Sequence, residues 1–224
     1  MFESLNLSSL PHRQKAVLRP ASSTRPALRL VEEDGVVAVV KDFSRNRFLY
    51  RHLVGRFLVW RENRAYRQVA GLDGVPKVYR IIRGLAIVLE YIPGTVLSDL
   101  QEISNLDEGF FDACNDLVMR VHARGVAHCD LKREPNILLS DDGRPYFVDW
   151  AAAILNRECR AFPLTFIYAR FLRDDELAII KHKLKYCPRK VSDGEKARLA
   201  YRSRPEKVVR AIRDTLRRIL KRIA

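Results

Sequence analysis

This chain has no long apolar segment, and it is short of cysteine. The runs Val36–Val40 and Leu85–Leu89 fall far below the roughly 20 apolar residues that span a bilayer. Met1 is not followed by an apolar segment with a small-residue cleavage site, so secretion is not expected. Cys114, Cys129, Cys159 and Cys187 are scattered, with no CxxC pair among them. That spacing argues against a disulfide framework and a zinc site, and predicts reduced thiols in a cytoplasmic protein. Internal repeats and low-complexity tracts are also missing.

What is present suits a globular chain. Hydrophobic residues make up 47% and charged residues 30% of 224, enough apolar surface for one core or for one domain in two lobes. The net charge of +14 is unevenly distributed. Residues 181–224 hold 16 Lys/Arg against 4 Asp/Glu, whereas residues 68–130 hold 5 against 9. A basic tail on an acidic middle points to an anionic partner, or to a solvated helical surface.

Local patterning predicts a β-rich first part. Residues 1–15 read as a loose leader. Short β-type runs follow at Ala16–Arg19, Ala27–Val31 and Val36–Lys41, with Asp34-Gly35 as a hairpin turn between the last two. A helix is predicted over about residues 47–70, where Phe48, Leu49, Leu53, Phe57, Leu58, Ala65, Tyr66 and Val69 recur near helical spacing. Val78–Ile82 and Leu85–Glu90 form a second hairpin turning at Arg83-Gly84. After Pro93-Gly94 the pattern turns helical. Phe110, Phe111, Cys114, Leu117, Val118 and Val121 make one stripe, and Leu172–Tyr186 and residues 205–223 are further helices. Short strands at Asn136–Leu139 and Pro145–Val148 flank a Ser-Asp-Asp-Gly turn. The result is an α+β, two-lobed chain: a small lobe over 16–90, a connector near 90–96 and a helical lobe over 91–224, an arrangement that places a cleft between lobes.

The strongest chemical signal is His128-Cys129-Asp130-Leu131-Lys132-Arg133-Glu134-Pro135-Asn136-Ile137-Leu138-Leu139, followed by Tyr146-Phe147-Val148-Asp149-Trp150-Ala151. These segments resemble the protein-kinase superfamily, with its HRD…N catalytic loop and DFG metal-binding Asp. Over about residues 27–153 the wording is similar to small bacterial RIO-like kinases and lipopolysaccharide-core (Kdo/heptose) kinases. The resemblance implies a bilobal protein-kinase-like fold using ATP and Mg²⁺. It makes Asp130 the residue that orients or deprotonates the accepting hydroxyl, and Asp149 with Asn136 the oxygen ligands of the metal on the triphosphate. Lys41, at the end of Val36–Val40, matches the strand lysine that contacts the phosphates. Glu62 is its candidate partner, the only acid between Phe43 and Leu72. Leu89–Gly94 matches the hinge, where backbone groups of Glu90 and Ile92 would meet adenine. Lys132 matches the lysine that steadies the transferring phosphoryl group in serine/threonine kinases.

The departures from the pattern are specific. No GxGxxG precedes Lys41; Ala21–Arg25 stands there, and Ser22, Ser23 and Thr24 would cover the phosphates instead. Cys129 replaces the HRD arginine, which argues against control by a phosphorylated activation loop. Trp150-Ala151 replaces Phe-Gly, and no APE follows. Asn136 lies six residues after Asp130, where the family spacing is five. The acceptor is therefore left as a protein Ser/Thr or a lipopolysaccharide-type sugar. A nucleotide-binding pseudokinase or scaffold is the rival reading. The tail stripe Val208, Val209, Ile212, Leu216, Ile219, Leu220 and Ile223, ringed by arginines, would pack on the helical lobe. The same stripe would alternatively lie on an anionic membrane surface, peripheral to a bacterial inner membrane. Nucleic acid is not the expected partner, because the tail offers no stacking aromatics beyond Tyr186 and Tyr201.

Overall fold

The computed structural model describes residues 1–100, 106 and 108–201. The predicted helix over 205–223 lies outside the described residues. The elements begin with a short helix α1 (Leu10–Arg13), then β1 (Gln14–Arg19), β2 (Ala27–Glu33) and β3 (Val36–Asp42). A continuous helical segment follows: α2 (Phe48–Tyr50), a π-turn at Arg51–Gly55 and α3 (Arg56–Gln68). Two further strands, β4 (Val78–Ile82) and β5 (Ala86–Glu90), complete an antiparallel sheet of order β1-β2-β3-β5-β4. Both predicted hairpin turns have positive φ at their two central residues, Asp34 (51°) with Gly35 (75°) and Arg83 (49°) with Gly84 (66°). That is the geometry whose twist matches the flanking strands.

Strand β5 is buried on both faces, which is why it reads as an unbroken apolar run. Ile87 and Leu89 point into the main core, while Ala86 and Val88 point into a second cluster with Val31, Ala38, Val40 and Ile82. Phe2, Leu5 and Leu10 close that second cluster and are themselves buried. The opening residues are thus not the loose leader that their polarity suggests. They lie across the outer face of the sheet, and Arg80 reaches the backbone carbonyls of Phe2 and Glu3.

Helix α3 crosses the inner face with Val59, Glu62, Tyr66 and Val69 buried at helical spacing. Gly55 permits the approach, since a β-carbon there would sit 3.0 Å from Cβ of Phe43. The apolar residues ahead of it behave differently: Phe48, Leu49, Leu53 and Phe57, counted with the helix's stripe in the sequence, are exposed.

The second lobe opens with β6 (Gly94–Val96) and α4 (Glu108–Ala123), whose predicted stripe is buried as a unit. Strands β7 (Val126–Ala127), β8 (Ile137–Ser140), β9 (Pro145–Phe147) and β10 (Ile154–Leu155) form two small sheets, β6-β8-β9 and β10-β7. Helices α5 (Leu164–Tyr186) and α6 (Asp193–Ala200) follow. Helix α5 begins well before the predicted Leu172; its first turn, residues 164–167, is exposed and so carries no core periodicity to read in the sequence. One apolar core joins the lobes, running from Phe43, Val59 and Ile87 through Tyr66 and Trp150 to Leu117, Phe147 and Ile179. No helix among the described residues is long and apolar enough to cross a membrane.

Candidate active site

Lys41 sits on β3, facing the buried side of α3. Its Nζ is 2.6 Å from Oε1 of Glu62 and 3.0 Å from Oδ1 of Asp149, 108 positions along the chain, so the two acids share one ammonium. The Glu62 side chain is 2% exposed and that of Asp149 43%, which leaves Asp149 as the solvent-facing member. Burial works against the Lys41 charge, but the carboxylates of Glu62 and Asp149 outweigh it and hold its pKa above the ordinary value. Burial pushes the Glu62 carboxyl up against the pull of Lys41. The Lys41 ammonium lowers Asp149, against the opposing effect of burial. The three side chains therefore form a charged cluster with its net negative, accessible end at Asp149.

Asp130 and Asn136 form a second group. Nδ2 of Asn136 donates to the Asp130 carbonyl at 3.0 Å and to Asp130 Oδ2 at 3.1 Å. The residue added between them relative to the kinase spacing is taken up by a 3₁₀ turn at Glu134–Asn136, which returns Asn136 to the aspartate. With Nδ2 occupied, the Asn136 amide oxygen has no hydrogen-bond partner among the described residues, and neither does the second carboxylate oxygen of Asp149. Those two oxygens suit a hard cation, which takes oxygen ligands and completes its shell with phosphates and water. No cluster of three or more His, Cys, Asp or Glu able to hold a metal exists among the described residues. A metal held here would thus depend on the nucleotide for the rest of its ligands.

Two backbone links hold the groups side by side. Val148 N–H donates to the Asn136 carbonyl at 3.0 Å, and His128 Nε2–H donates to the Val148 carbonyl at 3.1 Å. The fully buried Trp150 donates from Nε1 to the Phe147 carbonyl at 3.0 Å and packs 4.5 Å from the His128 ring. It stands at the position of Phe in the kinase motif. Cys129 (φ 68°) and Asp149 (φ 66°) are both left-handed, a strained conformation for non-glycine residues that is kept where surrounding bonds over-determine it. Burial pushes the Cys129 thiol up to about 12, so it is no nucleophile near neutral pH.

The bonds that fix Cys129 come from a residue the sequence reading missed. Asp175, buried in α5, accepts the backbone N–H of His128 at 2.7 Å and that of Cys129 at 2.9 Å, with His122 Nε2 at 3.3 Å. Two turns further on, His182 Nε2 is 2.9 Å from the Leu131 carbonyl. A signal for both was available: Asp175 and His182 lie on the same helical stripe as Leu172 and Ile179, where an acid is out of place unless it has a buried partner.

The remaining predicted residues are placed less closely. Lys132 is exposed near Asp130 in the chain and makes no ion pair among the described residues. The Glu90 N–H is held by the Lys77 carbonyl at 2.8 Å and its carboxylate by the Lys77 N–H at 2.9 Å, so its amide is not open to a ligand. Ile92 is half-buried, and neither of its backbone groups is hydrogen-bonded among the described residues. Ser22, Ser23 and Thr24 are exposed, and they touch none of the other site residues. Their loop is tied down by Asn46, which donates to the carbonyls of Ser22 (2.7 Å) and Arg25 (3.1 Å), and by Tyr50, which donates to that of Thr24 (2.6 Å). Its hydroxyls make no hydrogen bond among the described residues. Since Leu28 pairs with Lys41 across the ladder, the loop lies just beyond the Lys41 end of the sheet.

The site thus brings together a lysine–glutamate pair beneath an accessible aspartate and a second aspartate bonded to an asparagine, with the Ile92 amide the one predicted hinge amide left open among the described residues. A family model for the RIO domain matches residues 38–165, more than half of the chain, and the match spans Lys41, Glu62, Asp130, Asn136 and Asp149. No curated protein matches the chain. The family match and the pairing of Lys41 with Glu62 and Asp149 agree, and the chain belongs to the RIO domain family of atypical, kinase-like proteins.

Proposed function

We propose that this protein transfers the γ-phosphate of Mg²⁺-ATP to a hydroxyl group. The observation that carries the reading is the Lys41–Glu62–Asp149 cluster, with Lys41 Nζ within 3.0 Å of both acids. On this reading Lys41 contacts the α- and β-phosphates, with Glu62 fixing its position. The backbone of Ile92 meets adenine, and the Glu90 contribution is limited to its carbonyl. Ser22, Ser23 and Thr24 cover the phosphates. Asp149 and Asn136 hold the metal, which would neutralise charge developing on the transferring group. Asp130 accepts the hydroxyl proton as the new O–P bond forms and the bond to the leaving ADP breaks. Lys132 faces the transferring phosphoryl. Catalysis in this arrangement is mainly placement and charge stabilisation.

The acceptor is proposed as a protein Ser/Thr or a lipopolysaccharide-type sugar. Lys132 beside Asp130 favours the first, and the lack of an APE-type docking segment favours the second. A cytoplasmic location, peripheral to an inner membrane, fits the second acceptor. A nucleotide-binding pseudokinase is the rival reading, motivated by the absent glycine-rich loop. The bond between Asn136 and Asp130 speaks against the other motive for it, the displaced asparagine.

The test is incubation with γ-labelled ATP and Mg²⁺ against separate pools of protein, lipopolysaccharide and small sugars. Labelling of one pool is expected, lowered by roughly 100-fold or more in Asp130→Ala and in Asp149→Ala. Equal labelling by both variants would defeat the assignment, and Mg²⁺-dependent ATP binding without transfer to any pool would favour the pseudokinase.

A further inference from the structure

Six large apolar side chains stand in water on the outer face of the α2–α3 segment: Phe48, Leu49, Leu53, Val54, Phe57 and Trp60. Leu53 is 69% exposed, Leu49 71% and Phe57 51%. Contiguous exposure of this kind on one element marks an interaction surface. The residues are not spare core: the opposite face of the same helix carries buried Val59, Tyr66 and Val69 and presents Glu62 to Lys41.

The exposed charges carried by the segment itself are of one sign. Arg45, Arg47, Arg56 and Arg67 are exposed and have no acidic partner among the described residues. The only acid of this stretch, Glu62, is buried on the other side. A second apolar cluster lies close in the connectivity. Arg64 stands 4.5 Å over the Trp60 ring and 3.1 Å from Glu158, and four residues beyond Glu158 begin the exposed Phe162, Leu164, Phe166 and Ile167.

We propose that the outer face of α2–α3 docks on an anionic phospholipid surface. An apolar stripe with Trp and Phe at its centre, flanked by arginines, has the composition of a helix that lies in the headgroup region. A second copy of this chain does not fit, because apposing two such faces would bring unpaired arginines together. An acidic surface is required, and the side chains project from a convex helix, which suits a deformable lipid interface. This proposal does not depend on the phosphotransferase reading, and its test involves no nucleotide.

The chain supplies its own reporter. Of its two tryptophans, Trp150 is fully buried and Trp60 is 49% exposed, so a change in environment on docking is read from Trp60. The intact chain is mixed with vesicles of phosphatidylglycerol and phosphatidylcholine, and separately of phosphatidylcholine alone. The expected results are co-flotation with the anionic vesicles only, a blue shift of tryptophan emission, and quenching by brominated acyl chains. Trp60→Phe should abolish the spectral change while leaving flotation largely intact. Leu53→Ser with Phe57→Ser should weaken partitioning by about ten-fold or more, with an unchanged unfolding midpoint because both side chains are exposed. Arg47→Glu with Arg56→Glu should weaken it as well, and added salt should do the same for the parent chain.

Flotation with an unshifted, unquenched Trp60 would assign binding to another part of the chain and overturn the proposal. So would indifference to anionic vesicles, or a Trp60 shift seen only with an acidic polypeptide.

Discussion

The carboxylate of Asp175 holds the backbone N–H groups of His128 and Cys129 at 2.7 and 2.9 Å, across 47 and 46 residues of sequence. It thereby sets the conformation of the residue immediately ahead of Asp130. Helix α5 is in this sense part of the site, although none of its side chains points at a substrate position proposed above. Removing the carboxylate in Asp175→Ala leaves two buried donors unsatisfied, at about 1–3 kcal/mol each. The expected outcome is a lower denaturant midpoint together with faster amide exchange at His128 and Cys129. Asp175→Asn, which keeps one acceptor oxygen, should lose less on both measures.

The Lys41–Glu62 pair gives a sharper energetic test. Lys41→Met leaves Glu62 buried without its cation, and a broken buried pair costs about 3–5 kcal/mol. The double variant Lys41→Met/Glu62→Leu removes the stranded charge and should be more stable than Lys41→Met alone, while losing ATP-dependent activity as fully. Urea denaturation of the two single variants and the double variant, read as a cycle, measures the coupling. Strict additivity would show that the pair is not an energetic unit.

Acid should weaken the fold through His128 and His182. Both donate Nε2–H to backbone carbonyls, of Val148 and Leu131, and burial lowers both pKa values. In the unfolded chain they take up protons as the pH falls through about 6.5, while in the folded chain they resist. The stability they contribute is present above that pH and is lost as pH falls towards their folded values. The thermal midpoint should therefore drop between about pH 7 and pH 5. His182→Gln, which keeps a donor for the Leu131 carbonyl, should flatten the drop.

Asn136 is expected to act through its free amide oxygen as well as through its bond to Asp130. Asn136→Ala should raise the Mg²⁺ concentration for half-maximal activity by about ten-fold or more. Asn136→Asp restores an oxygen and should recover part of that loss. An unchanged Mg²⁺ dependence in Asn136→Ala would leave Asp149 as the sole protein ligand of the metal.

The sequence by itself determined the features that are local in the chain. The hairpin turn at Asp34-Gly35 was legible because positive φ at both central residues selects Asp-Gly, and that at Arg83-Gly84 was legible through its glycine and the apolar runs on either side. Helix α4 was legible because its buried stripe repeats every three to four residues. Lys41, Glu62, Asp130, Asn136 and Asp149 stood out because the segments that carry them resemble the protein-kinase motifs, and the fold gathers them into two adjoining groups.

Only the tertiary structure decided what each apolar face meets. Periodicity shows that a helix has two sides, not which side finds a partner. The stripe read from the sequence therefore took in Phe57 and passed over Val59, yet Phe57 is exposed and Val59 lies in the core. Phe2, Leu5 and Leu10 looked like an isolated leader because the sheet that buries them is formed by residues 14–90. Asp175 was silent for the same reason: an acid in a helix is ordinarily solvated, and its meaning depends on backbone amides brought to it from 46 and 47 residues away.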